Sequence, residues 1–151
     1  MSKAIEFVGD LRLKYITRTI DFVRMRWFTR SWPENRPHFA VRTDLDAEEF
    51  EQVLRNDLVL EGVQFTFNYE GEIINLRGPY GTRNGYQREI HVRFRPWEHG
   101  FEGNCHTEKS RYEHKDEHYA GKELDWQEGY SDMVKLLEEL DFDVVREDEL
   151  G

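Results

Sequence analysis

The feature that most constrains the fold is an apolar/polar alternation of period two, with arginine recurring at the polar positions. Gln87 to Arg95 sets Ile90, Val92 and Phe94 against His91, Arg93 and Arg95. Pro37 to Thr43 sets Phe39 and Val41 against His38, Ala40 and Arg42, and Gly62 to Tyr69 sets Val63, Phe65, Phe67 and Tyr69 against Gln64, Thr66 and Asn68. Successive side chains of a strand leave on opposite faces, so such runs fit antiparallel strands covered on one side. Glu72 to Arg77 supplies a further strand after a tight turn at Glu70-Gly71. The loop Gly78 to Gly85 ends in Asn-Gly, a hairpin dipeptide that returns the chain into Gln87.

Two helices interrupt this pattern. Asp46 and Glu49 have the spacing of a capping box, followed by Phe50, Val53 and Leu54 on one stripe over about Ala47 to Asp57. Ser131 is expected to cap a second helix to about Leu140, with Met133, Leu136, Leu137 and Leu140 inward. Asp141 to Arg146 reads as a short last strand. The expected fold is α+β, mainly antiparallel sheet with two helices packed on one face, in a single domain spanning 1–151. Residues 11–30 fit both two strands and a helical stripe. The β-branched content favours the strands.

The segment 97–125 has little periodicity and is expected to be a long irregular loop, a length usually tied to function or to a bound ligand. It carries His99, Cys105, His106, His114 and His118. His114-Lys115-Asp116-Glu117-His118 matches His-x-x-Glu-His, in which two imidazoles four apart grip one zinc and the glutamate activates its water. Cys105, His106, His114 and His118 form the candidate metal set. A zinc staple of the loop is the expected form, since a ligated loop needs no core of its own, and a metal-dependent hydrolase using 99–118 is the other.

The arginines define a second candidate. Arg24, Arg26, Arg42, Arg77, His91, Arg93 and Arg95 share one sheet face if the strands pair in register, with Asn75 among them. Guanidinium presents a planar fork to phosphate or carboxylate, so an anionic ligand or partner is the leading functional expectation, a binding role rather than an enzymatic one. An ordinary solvated sheet face, or neutralisation by the acidic C-terminal part, is the competing account. Basic strands of this kind resemble those of triphosphate-tunnel enzymes, but their early Glu-x-Glu-x-Lys signature is absent and no residue role is carried over. Edge strands and exposed aromatics leave a homo-oligomer open as well.

Charge and composition bound the setting. The 151 residues carry 31 acidic against 21 basic side chains, a net charge of −10 that lies almost wholly after Trp97. Fifteen of the 21 bases are arginine. One cysteine excludes an intrachain disulfide, no apolar run is long enough for a bilayer, and no signal-peptide pattern opens the chain, so a cytoplasmic protein without membrane partners is expected. An acid-rich, lysine-poor surface suits concentrated salt, where screening removes self-repulsion. Thermal stability is therefore expected to rise from dilute buffer into multimolar KCl. A melting temperature flat across that range would exclude salt adaptation.

Overall fold

The computed structural model describes residues 29–63, 67–83, 86–121 and 123–150. Contacts divide the chain into two compact units. The smaller contains a parallel pair, β1 (Thr29–Arg30) with β4 (Asn68–Tyr69), where the Arg30 guanidinium lies 3.9 Å over the Phe67 ring and Trp32 meets Tyr69 edge-on. Arg24 and Arg26, with the rest of 11–28, lie outside the described residues.

The larger unit holds the remaining elements: β2 (His38–Arg42), α1 (Ala47–Asp57), β3 (Glu61–Gly62), β5 (Ile74–Arg83), β6 (Tyr86–Trp97), β7 (Gly100–Lys109), α2 (Lys115–Tyr119), α3 (Trp126–Glu139), β8 (Asp143–Val145) and a 3-10 turn (Glu147–Glu149). Its strands form one six-stranded antiparallel sheet in the order β3-β5-β6-β7-β2-β8. The fold is α+β, as expected.

The apolar half of each alternation meets the two long helices. Phe39, Val41, Ile74, Leu76, Ile90, Val92, Phe94, Phe101 and Cys105 share one buried cluster with Phe50 and Leu54 of α1 and Met133, Val134 and Leu137 of α3. Phe50 stacks on Phe101 at 4.7 Å and meets Phe94 edge-on at 5.0 Å. The capping box of α1 is formed in full: Glu49 N donates to Asp46 Oδ1 and Asp46 N to Glu49 Oε2, both at 2.9 Å.

The structure corrects the expectation for the last helix. It starts at Trp126, capped by the Asp125 carboxylate, which accepts from Glu128 N at 2.8 Å, and Ser131 lies inside it. Gly129, which looks like a helix breaker, is there because the helix crosses β7 at backbone distance. A Cβ at that position would stand 2.7 Å from the Cys105 carbonyl oxygen and closer still to the His106 backbone.

The segment expected to be irregular instead contains β7, paired over ten positions with β6. Its period-two signal is hidden because the core-facing positions after Phe101 are Gly103, Cys105 and Thr107. Gly103 has no side chain because the Phe94 and Phe39 rings occupy that space, at 2.7 and 2.9 Å from where a Cβ would lie. Likewise β5 runs on through the expected loop to Arg83, with its pairing to β6 irregular between Pro79 and Thr82. In place of one strand over Gly62 to Tyr69, two short pairings appear, β3 with β5 and β4 with β1, and residues 64–66 lie outside the described residues. No helix among the described residues is long and apolar enough to cross a membrane.

Alanine is the better helix former by about 1 kcal/mol, so Gly129→Ala would stabilise an open helix face. Here the added methyl meets strand backbone, and a net loss of about 1–3 kcal/mol is expected in urea unfolding. A stabilised variant would contradict the close crossing.

Candidate functional site

The sheet face turned away from the two long helices is the unusual one. A sheet covered on one side ordinarily leaves its polar residues in water. Here Glu89, His91 and Arg93 of β6 and Glu102, Asn104, His106 and Glu108 of β7 are all buried, from 1 to 8 % exposed. Register places Glu89 opposite Glu108, His91 opposite His106 and Arg93 opposite Asn104. Four ionisable groups thus form a square across two neighbouring strands.

Burial of this kind requires partners for each group. Arg93 Nη1 donates to Glu72 Oε2 at 2.7 Å, with both side chains almost fully enclosed. Glu72 Oε1 accepts from Asn75 Nδ2 at 2.8 Å, which turns the other end of the amide, Oδ1, toward His91 Nε2 at 2.7 Å. An amide oxygen only accepts, so His91 carries its proton on Nε2 and leaves the Nδ1 lone pair bare. That bare nitrogen faces Glu108 Oε1 at 3.7 Å. Burial, followed by Arg93, His106 and His118, holds the His91 pKa well below the usual imidazole range, so the ring is neutral. His106 Nε2 lies 3.7 Å from the second oxygen of the same carboxylate, its ring packed on Trp126 with centroids 4.5 Å apart.

His118, from α2, completes the ring around Glu108, with Nδ1 3.7 Å from Oε2 and 3.8 Å from Glu89 Oε2. Its Nδ1 is also 2.9 Å from the Lys109 carbonyl oxygen, a pure acceptor, so Nδ1 carries the proton. Nε2 then accepts from Arg77 Nη1 at 3.5 Å. Among the described residues, two groups of side chains bring their ligand atoms within 4.8 Å of one another: His91, His106 and Glu108, and Glu89, Glu108 and His118. The proton on His118 Nδ1 separates them. Only the first group offers two nitrogens and a carboxylate with no hydrogen already committed between them. Glu89, across the square, is pushed up to about 7, mainly by burial, with Glu108 adding to the effect and His118 opposing it.

The expected metal set is not brought together. Cys105 points into the apolar core, one residue from His106 and on the other face, with its thiol pKa raised by burial. His114 sits at the start of the five-residue α2, its Nδ1 3.4 Å from Glu117, and Glu117 pairs with Lys109 at 2.7 Å. Only His106 and His118 of the four reach Glu108. His91, grouped by sequence with the arginines, belongs to this centre instead, and Glu72 and Glu108 escaped notice altogether.

The arginine face is equally changed by its neighbours. Arg77, Arg93 and Arg95 share the face, but Arg93 is held by Glu72, and Arg95 donates to Glu102 at 2.8 Å and Glu34 at 3.3 Å. Arg42 lies toward the far edge beside Asp143 at 3.4 Å. Carboxylates thus occupy the guanidinium groups of Arg42, Arg93 and Arg95, while Arg77 Nη1 meets His118 Nε2 at 3.5 Å, so the face is of mixed charge.

Removing one partner of a buried pair leaves the other ion uncompensated, at a cost of about 3–5 kcal/mol. Glu72→Ala is expected to lose that much in equilibrium unfolding, while Glu51→Ala, which ends the exposed pair with Arg55, loses less than about 1 kcal/mol. Equal small losses would contradict an enclosed Arg93–Glu72 pair. Comparison of the chain with protein-family models, curated proteins and solved structures finds no match.

Proposed function

We propose that the chain is a metal-binding protein whose centre is His91, His106 and Glu108, taking zinc or another first-row divalent cation. One observation supports the reading above the rest. A bare imidazole nitrogen and a carboxylate oxygen, both acceptors, face each other at 3.7 Å in a buried place. That separation is too long for a shared proton and close to the edge of a metal coordination polyhedron with ligand bonds of about 2.0–2.2 Å.

The surrounding groups fit the same reading. Metal-bound histidines commonly donate their other N–H to an oxygen that fixes tautomer and ring orientation, as Asn75 does for His91. Burial keeps His91 neutral, the form that ligates. Two imidazoles with one carboxylate suit zinc and iron(II) better than calcium or magnesium.

Three protein ligands leave a coordination position for water or a substrate, the pattern of reactive rather than closed structural sites. The apolar cluster on the opposite face gives the sheet a core that needs no ion, which speaks for a metal-dependent activity such as hydrolysis over a zinc staple.

The test is a titration of Zn²⁺ and Co²⁺ into chelator-stripped protein lacking a histidine tag. One ion is expected per chain. His91→Ala and His106→Ala each weaken binding at least ~100-fold, and Asn75→Ala weakens it about 10–100-fold. His99→Ala, on the exposed β6–β7 turn, leaves affinity unchanged, and the stripped protein keeps its circular dichroism. Absence of stoichiometric binding by folded protein, or unchanged affinity in His91→Ala, would falsify the proposal.

A further inference from the structure

Glu89 is left over when His91, His106 and Glu108 are assembled into one centre. Its side chain is 4 % exposed and stands directly across the β6–β7 ladder from Glu108. Carboxylates opposite one another on neighbouring strands repel, and burial sharpens the repulsion by removing water. One Glu89 oxygen has Arg111 Nε at 3.8 Å, but the other, Oε2, has no hydrogen-bond donor. A buried carboxylate oxygen in that position costs stability unless something positive meets it.

The orphan oxygen is turned toward His118 Nδ1, at 3.8 Å, and His118 Nδ1 lies 3.7 Å from Glu108 Oε2. These separations repeat those of the first group, where His91 and His106 each stand 3.7 Å from a Glu108 oxygen. All are too long for a hydrogen bond. Glu108 belongs to both groups and turns Oε1 to His91 and Oε2 to His106 and His118. A carboxylate shared in this way is suited to bridging two cations.

We propose that a second divalent cation binds between Glu89, Glu108 and His118, sharing Glu108 with the first, so that the centre holds two ions. The proposal rests on the single-ion reading above and extends it. Two carboxylates with one imidazole suit a first-row ion such as Mn²⁺, Co²⁺ or Zn²⁺.

His118 sets the order of filling. Its Nδ1 proton goes to the Lys109 carbonyl, and its Nε2 accepts from Arg77 Nη1. To ligate through Nδ1 the ring gives up that proton and takes one from water at Nε2, leaving its charge unchanged. Arg77 Nη1 then faces another donor and must withdraw. The second ion thus displaces two hydrogen bonds, whereas the Asn75–His91 bond already favours the first. One equivalent of metal fills His91, His106 and Glu108, and the second ion enters only in excess.

The experiment titrates Co²⁺ past one equivalent into the chelator-stripped full chain without a histidine tag. It is run at pH 8, where Glu89 is ionised, and followed by visible absorption and EPR. A second saturable step is expected, weaker than the first by about tenfold or more. The shared carboxylate couples the two cobalt spins, so the two-ion protein gives less than twice the one-ion EPR signal. Glu89→Gln and His118→Ala each remove the second step and leave the first in place, while Arg77→Met tightens the second. A folded chain that holds one ion in saturating cobalt overturns the proposal and leaves the single-ion reading standing, whereas no bound ion at all removes both. A second ion whose signal simply adds, or that persists in Glu89→Gln or His118→Ala, is an adventitious ion only and overturns it too. So does a second step that weakens in Arg77→Met.

Discussion

The pairing of β6 with β7 is the constraint from which the rest of the larger unit follows. Its register puts Val92 beside Cys105 and Phe94 beside Gly103 on one face, and His91 beside His106 and Glu89 beside Glu108 on the other. A slip of one residue would send Phe94 and Val92 into the polar layer and the histidines among the phenylalanines. Packing enforces the register from both sides. The rings of Phe39 and Phe94 fill the space over Gly103, and α3 presses Gly129 against the His106 backbone. The apolar face therefore positions the ionisable one, although the two never touch.

That dependence explains what was readable in the chain. β2, α1 and β6 announced themselves because their core-facing residues are large and their caps standard, and α1 keeps its expected bounds. β7 did not, because the space on its core side is filled by neighbours' aromatic rings and its own residues there are glycine, cysteine and threonine. Read as a loop, it left His106 and Glu108 with no strand opposite them. Counting outward from the turn at Glu98-His99 would have brought His91 to His106 and Glu89 to Glu108, had 100–109 been taken as extended. Alternation placed His91, Arg93 and Arg95 on one face, and the acids beside the arginines came from elsewhere: Glu72 from the approach to β5, Glu34 from before β2 and Glu102 from β7. Only the last of these follows from strand pairing alone.

The histidines illustrate a further limit of reading by pattern. His114 and His118 have metal-ligand spacing, yet one stays near the surface and the other gives its proton to a carbonyl. Ligand competence is decided by which nitrogen is already spoken for. His91 has no motif around it at all. Its bare nitrogen results from three links, Arg93 to Glu72, Glu72 to Asn75 and Asn75 to His91, each made by a different pair of side chains.

The layer of charges beneath the sheet also limits how such a chain can vary over generations. An oily interior accepts a leucine for a methionine with little loss, because volume is nearly all that matters there. A lattice of matched ions offers no such latitude: each member's tolerable replacements are dictated by the neighbour it answers to. Change here should come in couples, Arg93 together with Glu72 or Arg95 together with Glu102, while the greasy side drifts one residue at a time.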